Sequence, residues 1–79
     1  MPLPPRQISV LRYLNDRPSA TTLNVAKELR MDRHAAHNTL RVLAGKRLVL
    51  ADHGTLPVSY AITDLGAALL AAAANERDS

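Results

Sequence analysis

The sequence has no cysteine, and its only aromatic residues are Tyr13 and Tyr60. Without cysteine the chain can form no disulfide, no thiolate metal site and no thiol redox sensor. Proteins that bind single-stranded nucleic acids usually stack the bases on several aromatic side chains. Two tyrosines far apart in the sequence therefore argue against that class of partner, and if the partner is a nucleic acid, duplex DNA is favoured.

The sequence also lacks a long apolar segment and a signal-peptide pattern. Its longest run of apolar residues spans positions 67–74, which is too short to cross a bilayer. The opening residues, MPLPPR, do not precede the apolar run that a secretory signal would need. We therefore expect a cytoplasmic protein that makes no contact with a membrane.

A chain of 79 residues is long enough for one small domain. We assign this domain to residues 5–75 and expect residues 1–4 and 76–79 to be flexible termini. A domain of this size buries only about 60% of the surface that its unfolded chain exposes, so it gains from disulfides, a metal or a partner subunit. Since disulfides are excluded, a second copy of the chain is the favoured stabiliser.

Basic residues are concentrated in the middle of the chain. The net charge is +3 overall, but six basic and two acidic residues between positions 27 and 47 give that stretch +4. The rest of the chain carries −1. Such a local excess of positive charge is typical of a surface that faces a polyanion. A solvated helix face with no further role is the alternative.

Apolar periodicity predicts four helices and one β-hairpin. We expect the helices at residues 5–15, 22–30, 33–44 and 64–75, and the strands at 48–51 and 58–62 with a loop at 52–57 between them. The residues before the last three helices, Thr21, Asp32 and either Thr63 or Asp64, can cap the N–H groups of the first turn. The predicted fold class is mainly α with a small β-hairpin (α+β).

The third predicted helix has an apolar side and a polar, basic side. Ala36, Leu40 and Leu43 recur at spacings of four and three and would face the core. The opposite side carries no carboxylate and consists of Arg33, His34, His37, Asn38 and Arg41. Two helices joined by a tight turn form a helix-turn-helix when the second can lie in a DNA major groove, which is about 12 Å wide.

Three segments, in this order and spacing, match a known pattern. They are TTLNVAKELRM at 21–31, DRHAAHNTLRVLAGKRLV at 32–49 and YAITDLGAALL at 60–70. Together they resemble winged helix-turn-helix regulators of the MarR-like, PadR-like and ArsR-like type, in which Y-x-L-T-x-x-G-x-x-L-L joins the second wing strand to the last helix. The resemblance covers residues 8–75. It implies three helices, a strand, a wing loop, a strand and a fourth helix, and a sequence-specific regulator of transcription, expected to be a repressor.

The resemblance also implies which residues face DNA. In the major groove it would place Arg33, His34, His37, Asn38 and Arg41, where arginine suits guanine and asparagine suits adenine. Lys46 and Arg47 would contact backbone phosphates. This sequence departs from the family at Arg47, where glycine is common. It also departs at the wing loop, which has no arginine or lysine, and this weakens the expectation of a minor-groove contact.

Other functions fit the sequence less well. His34 and His37 are spaced for a shared metal, but Zn²⁺ takes three or four ligands and only Asp52 or His53 could add one. The sequence has no zinc-protease, phosphate-loop or nucleophile-elbow motif, so we predict no enzyme activity. We also expect no metal and no cofactor, and no small-molecule ligand is evident from the sequence. A winged-helix module that binds proteins instead of DNA remains the alternative, because the fold does not determine the function.

The fourth predicted helix is apolar on more than one side. One stripe consists of Leu65, Ala68, Leu69 and Ala72, and Leu70, Ala73 and Ala74 extend the apolar surface around the helix. A small domain cannot enclose such a helix, so we expect a homodimer with an interface formed by Leu65, Leu69, Leu70 and Ala73. A twofold axis would place two reading helices about 34 Å apart, one DNA turn, on a palindromic operator. Packing of this helix across the first helix of the same chain is the alternative.

Overall fold

The computed structural model describes residues 3–78 and, of these, the side chains of residues 3–73. This part of the chain forms four helices and three short strands. Their bounds are α1 Pro5–Asn15, β1 Ala20–Thr21, α2 Thr22–Glu28, α3 Arg33–Gly45, β2 Val49–Asp52, β3 Ser59–Ile62 and α4 Asp64–Asp78. The predicted α+β winged helix-turn-helix arrangement is confirmed. None of the helices in this range is both long enough and apolar enough to cross a membrane.

The predicted bounds differ from the observed ones at a few places. α2 ends at Glu28, two residues early, and β1 was not predicted because a two-residue strand has no periodicity to detect. α4 continues to Asp78, so residues 76–78, which we expected to belong to a flexible terminus, are helical. Residues 1, 2 and 79 of the expected flexible termini lie outside the described residues.

The three strands form one antiparallel sheet with β3 at its centre, in the order β1-β3-β2. Tyr60 of β3 pairs with Ala20 on one side and with Ala51 on the other. The hairpin of β2 and β3 is the wing, residues 49–62. Because β1 leads directly into α2, the pairing of β1 with β3 ties the start of the helix-turn-helix to the wing.

The core lies between the helices and the inner face of the sheet. Its largest fully buried side chains are Val10, Leu11, Leu14, Val25, Leu40, Leu43 and Leu48. Ala36 is also fully buried, so the predicted apolar side of α3 faces the core. In α1, Val10 is buried and Ile8 is half-buried.

Each helix of the helix-turn-helix is followed, two residues after its last residue, by an arginine in the left-handed backbone region. The φ angles are 53° at Arg30 and 63° at Arg47. The Met31 N–H donates to the carbonyl of Ala26, and the Leu48 N–H to that of Leu43, each at 2.9 Å. These bonds define Schellman ends, where glycine is the usual left-handed residue because it has no Cβ.

The side of α4 that faces the core includes Leu70, one of the four residues that we assigned to the dimer interface. The helix packs against α1, and Leu70 is buried with 9% of its surface exposed. Leu65 and Leu69 are instead 50% and 38% exposed. Our assignment of Leu70 to an exposed interface is therefore corrected, since it belongs to the core of its own chain. The cause is Gly66, whose missing Cβ lets α4 lie directly against the backbone of Leu48.

Candidate nucleic-acid interface

One side of α3 is exposed along the whole helix. Besides Gly45 at its end, the exposed residues are Arg33, His34, His37, Asn38, Arg41 and Val42, whereas Ala36, Thr39, Leu40 and Leu43 are buried. At about 100° per residue, His34 and Arg41 lie near the centre of the exposed arc and Arg33 and Val42 lie at its edges. The structure thus brings the five polar residues singled out from the sequence together on one side of the helix.

The first turn of α3 and its buried polar residue, Thr39, have hydrogen-bond partners within the helix or directly before it. The Asp32 carboxylate accepts a hydrogen bond from the His34 N–H at 3.2 Å, which caps the first turn as predicted. The Thr39 hydroxyl donates to the Ala35 carbonyl at 2.7 Å. No aspartate or glutamate occurs from residue 33 to residue 51, so α3 carries no carboxylate that would repel an anion.

The two basic residues after α3 lie where α3 meets α1, the wing and α4. The Lys46 Nζ donates to Gln7 Oε1 of α1 at 3.2 Å. The Arg47 carbonyl accepts from the Thr63 hydroxyl at 2.8 Å, and that hydroxyl accepts from the Gly66 N–H at 3.1 Å. Thr63, rather than Asp64, therefore caps α4. Both Lys46 and Arg47 are exposed.

A groove of about 570 Å³ separates the first half of α3 from the wing. It is lined by Thr22, Leu23, Arg33, His34, His37, His53, Pro57, Val58 and Tyr60. Although three histidines line it, no group of three histidine, cysteine or acidic residues in the described range is placed to hold a metal ion. Leu23 of α2 is 49% exposed here.

A cleft of about 430 Å³ lies along the other edge of α3. Asn38 and Val42 line it from α3, and Arg6 and Gln7 line it from the start of α1. Reasoning from sequence missed Arg6 and Gln7, because only the packing of α1 on α3 brings them beside Asn38. The sequence contained one weak indication of Arg6, because a basic residue in the first turn of a helix interacts unfavourably with the helix dipole.

Comparison with known proteins finds similarity in fold rather than in sequence. No protein-family model matches the chain, and no curated protein matches it. BpsR of Bordetella bronchiseptica, whose DNA binding is regulated by 6-hydroxynicotinic acid, is 25% identical with a TM-score of 0.80, over 86% of this chain and 50% of its own. YusO of Bacillus subtilis is 20% identical with a TM-score of 0.90, over 96% of this chain and 56% of its own.

ZitR of Lactococcus lactis, solved in complex with DNA, is 18% identical with a TM-score of 0.81, over 99% of this chain and 55% of its own. These neighbours are winged-helix DNA-binding regulators of the MarR family. The chain spans about half the length of each of the three. The chain therefore has the winged helix-turn-helix fold of the MarR-type transcription regulators.

Proposed function

We propose that this protein is a sequence-specific regulator of transcription, a repressor, that reads the major groove of double-stranded DNA with α3. The exposed side of α3 carries this proposal. It combines five polar or basic side chains with no carboxylate, on a helix whose apolar back is held in the core. A helix with its side chains fits the major groove, which is about 12 Å wide.

Positions on the exposed arc suggest separate roles. Arg41 and His34, at its centre, would reach deepest into the groove, where an arginine can pair with a guanine through two hydrogen bonds. Asn38, one step toward α1, can pair in the same way with an adenine. Lys46 and Arg47 follow the helix and would neutralise backbone phosphates, which orients the protein without reading the sequence.

The exposed side of α4 supports a homodimer. Leu65, Ala68, Leu69 and Ala72 are all exposed and recur at the spacing of a single apolar stripe. Such a stripe normally faces another element, and Leu65 and Leu69 are still 50% and 38% exposed. A twofold axis through this stripe would place two copies of α3 side by side and match a palindromic operator with half-sites about 34 Å apart. Ala73, half-buried, would lie at the margin of that interface.

Selection of bound duplexes from a random pool tests the proposal. An enriched inverted repeat is expected, with half-sites about one DNA turn apart. On the enriched duplex, Asn38→Ala and Arg41→Ala should each weaken binding by about 1–3 kcal/mol, and less on a random duplex. Arg12→Ala, an exposed arginine of α1 that lines neither the groove nor the cleft beside α3, is the matched control. If both α3 variants bind every duplex as the wild type does, α3 does not read DNA.

A protein-interaction module is the second candidate, favoured by exposed apolar residues around the wing groove. Leu56 in the wing loop is 91% exposed and Leu23 is 49% exposed. Exposed apolar side chains are more typical of a protein contact than of a DNA contact. A pool that yields no enriched sequence, together with duplex binding that does not respond to salt, would favour this module over the regulator.

A further inference from the structure

Arg6 and Arg30 share a notch that lies outside the exposed side of α3. The notch, about 320 Å³, is lined by Arg6 and Ser9 of α1 and by Leu29, Arg30 and Met31 after α2. None of its lining residues is acidic, and both arginines are exposed. Two like charges in one notch repel each other unless an anion lies between them. A guanidinium pairs with phosphate oxygens through two parallel hydrogen bonds, so the notch has the chemistry of a phosphate site.

The notch is continuous with the proposed DNA-binding surface. Arg6 lines both this notch and the cleft that contains Asn38 and Val42. The next residue, Gln7, accepts the hydrogen bond from Lys46. Arg30, Arg6 and Lys46 therefore form a basic band along the α1 edge of α3. A duplex seated on α3 would bring its backbone to this edge.

Each arginine of the notch occupies an unfavourable position, Arg30 for its backbone and Arg6 for its charge. Arg30 has a φ of 53°, where glycine is the residue of lowest strain because any side chain is crowded by the backbone. Arg6 lies in the first turn of α1, where the helix dipole disfavours a cation and favours an anion. A single bound phosphate would offset the charge repulsion and the dipole at once. Backbone strain retained at an exposed residue is also common where its side chain has a function.

We infer that the notch of Arg6 and Arg30 binds a phosphate of the DNA backbone beside the groove that α3 enters, with Lys46 at a neighbouring phosphate. The inference rests on the proposed function and extends it to α1 and the end of α2. A contact of this kind orients the protein on the duplex and carries no information about base sequence. Its loss weakens the selected duplex and a random duplex equally.

The test is the salt dependence of duplex binding for three variants, measured by fluorescence anisotropy. Arg30→Gly removes the charge and also relieves the strain of the left-handed backbone. Weaker binding by this variant therefore cannot be ascribed to a less stable fold. Arg6→Ala removes the other side of the notch. The matched control, Arg12→Ala, removes an equal charge from the same helix at a site that it shares with Asp16.

Each phosphate contact contributes about −0.9 to the slope of log K against log salt. Arg6→Ala and Arg30→Gly should each reduce the slope by about that amount between roughly 50 and 200 mM salt, and weaken binding by about eightfold near 0.1 M salt. Arg12→Ala should leave the slope unchanged. A wild type that binds duplex while both notch variants keep its slope refutes this inference alone. A wild type that binds no duplex refutes the proposed function and this inference with it.

Discussion

Gly66 and Gly45 both lie in helices, yet alanine at the two positions is expected to change stability in opposite directions. A Cβ on Gly66 would overlap the carbonyl oxygen of Leu48 and lie 2.9 Å from Cγ1 of Ile62. A Cβ on Gly45 would have no other atom within 4 Å. Neither glycine has a positive φ, and alanine is favoured over glycine in a helix by about 0.5–1 kcal/mol. The difference between the two variants in the change of unfolding free energy therefore measures the contact of α4 with Leu48.

The loss of stability expected for Gly66→Ala follows from the interactions that the first turn of α4 would lose. The obstructing atom is a backbone oxygen, which also accepts the Thr63 N–H at 3.0 Å. Moving α4 away strains that hydrogen bond and the Thr63 cap, each worth about 1 kcal/mol, and overpacking costs about 1–3 kcal/mol. After the helix-propensity gain, the net loss is about 2–4 kcal/mol, or about 10–30 °C in Tm.

Thermal unfolding followed by far-UV circular dichroism measures both variants. Wild type, Gly66→Ala and Gly45→Ala should be compared at one protein concentration, because the Tm of an oligomer depends on concentration. Gly45→Ala is expected to raise the Tm by about 2–6 °C. A Gly66→Ala protein that melts at or above the wild-type temperature would show that α4 does not rest on Leu48 and that Gly66 does not set the orientation that buries Leu70.

Two further predictions concern the dimer and the end of α3. Leu69→Glu places a charge in the exposed α4 stripe and should convert the dimer to a monomer in sedimentation at micromolar concentration. The control Ala71→Glu changes a residue that is exposed but off the stripe, so this variant should stay dimeric. A wild-type protein that sediments as a monomer would contradict the homodimer. Arg47→Gly should stabilise the fold by about 0.5–1 kcal/mol, because glycine relieves the strain of the left-handed backbone at this position. The same variant should bind duplex DNA about eightfold more weakly near 0.1 M salt. An unchanged affinity would show that Arg47 is not among the phosphate contacts.

The order of the elements and the polar side of α3 could be predicted from the sequence. Ala36, Leu40 and Leu43 alternate with charged and amide residues at helical spacing, so the contrast between the two sides is contained in the helix itself. The caps Thr21 and Asp32 are equally local, since each side chain bonds an N–H within three residues. The roles proposed for the exposed side chains of α3 remain predictions until DNA binding is measured.

The orientation of α4 could not be predicted in the same way. Between residues 67 and 74 the helix contains only alanine and leucine, so no contrast in polarity marks the buried side. We assigned Leu70 to the interface together with Leu65 and Leu69, but the close approach at Gly66 turns Leu70 inward and leaves the other two leucines exposed. Where a helix has no polar side, the shape of the surface beneath it decides which residues are buried.

Periodicity, caps and charge act over one or two turns, and the sequence by itself therefore determined the winged-helix order and the residues that α3 exposes. Contacts between residues distant along the chain depend on how the elements pack, and these only the tertiary structure decided. They include the pairing of β1 with β3, the hydrogen bond from Lys46 to Gln7, and the notch that Arg6 shares with Arg30. The physical reason is that burial of the common core brings these residues together. Neither of the two segments contains a local pattern that specifies its partner.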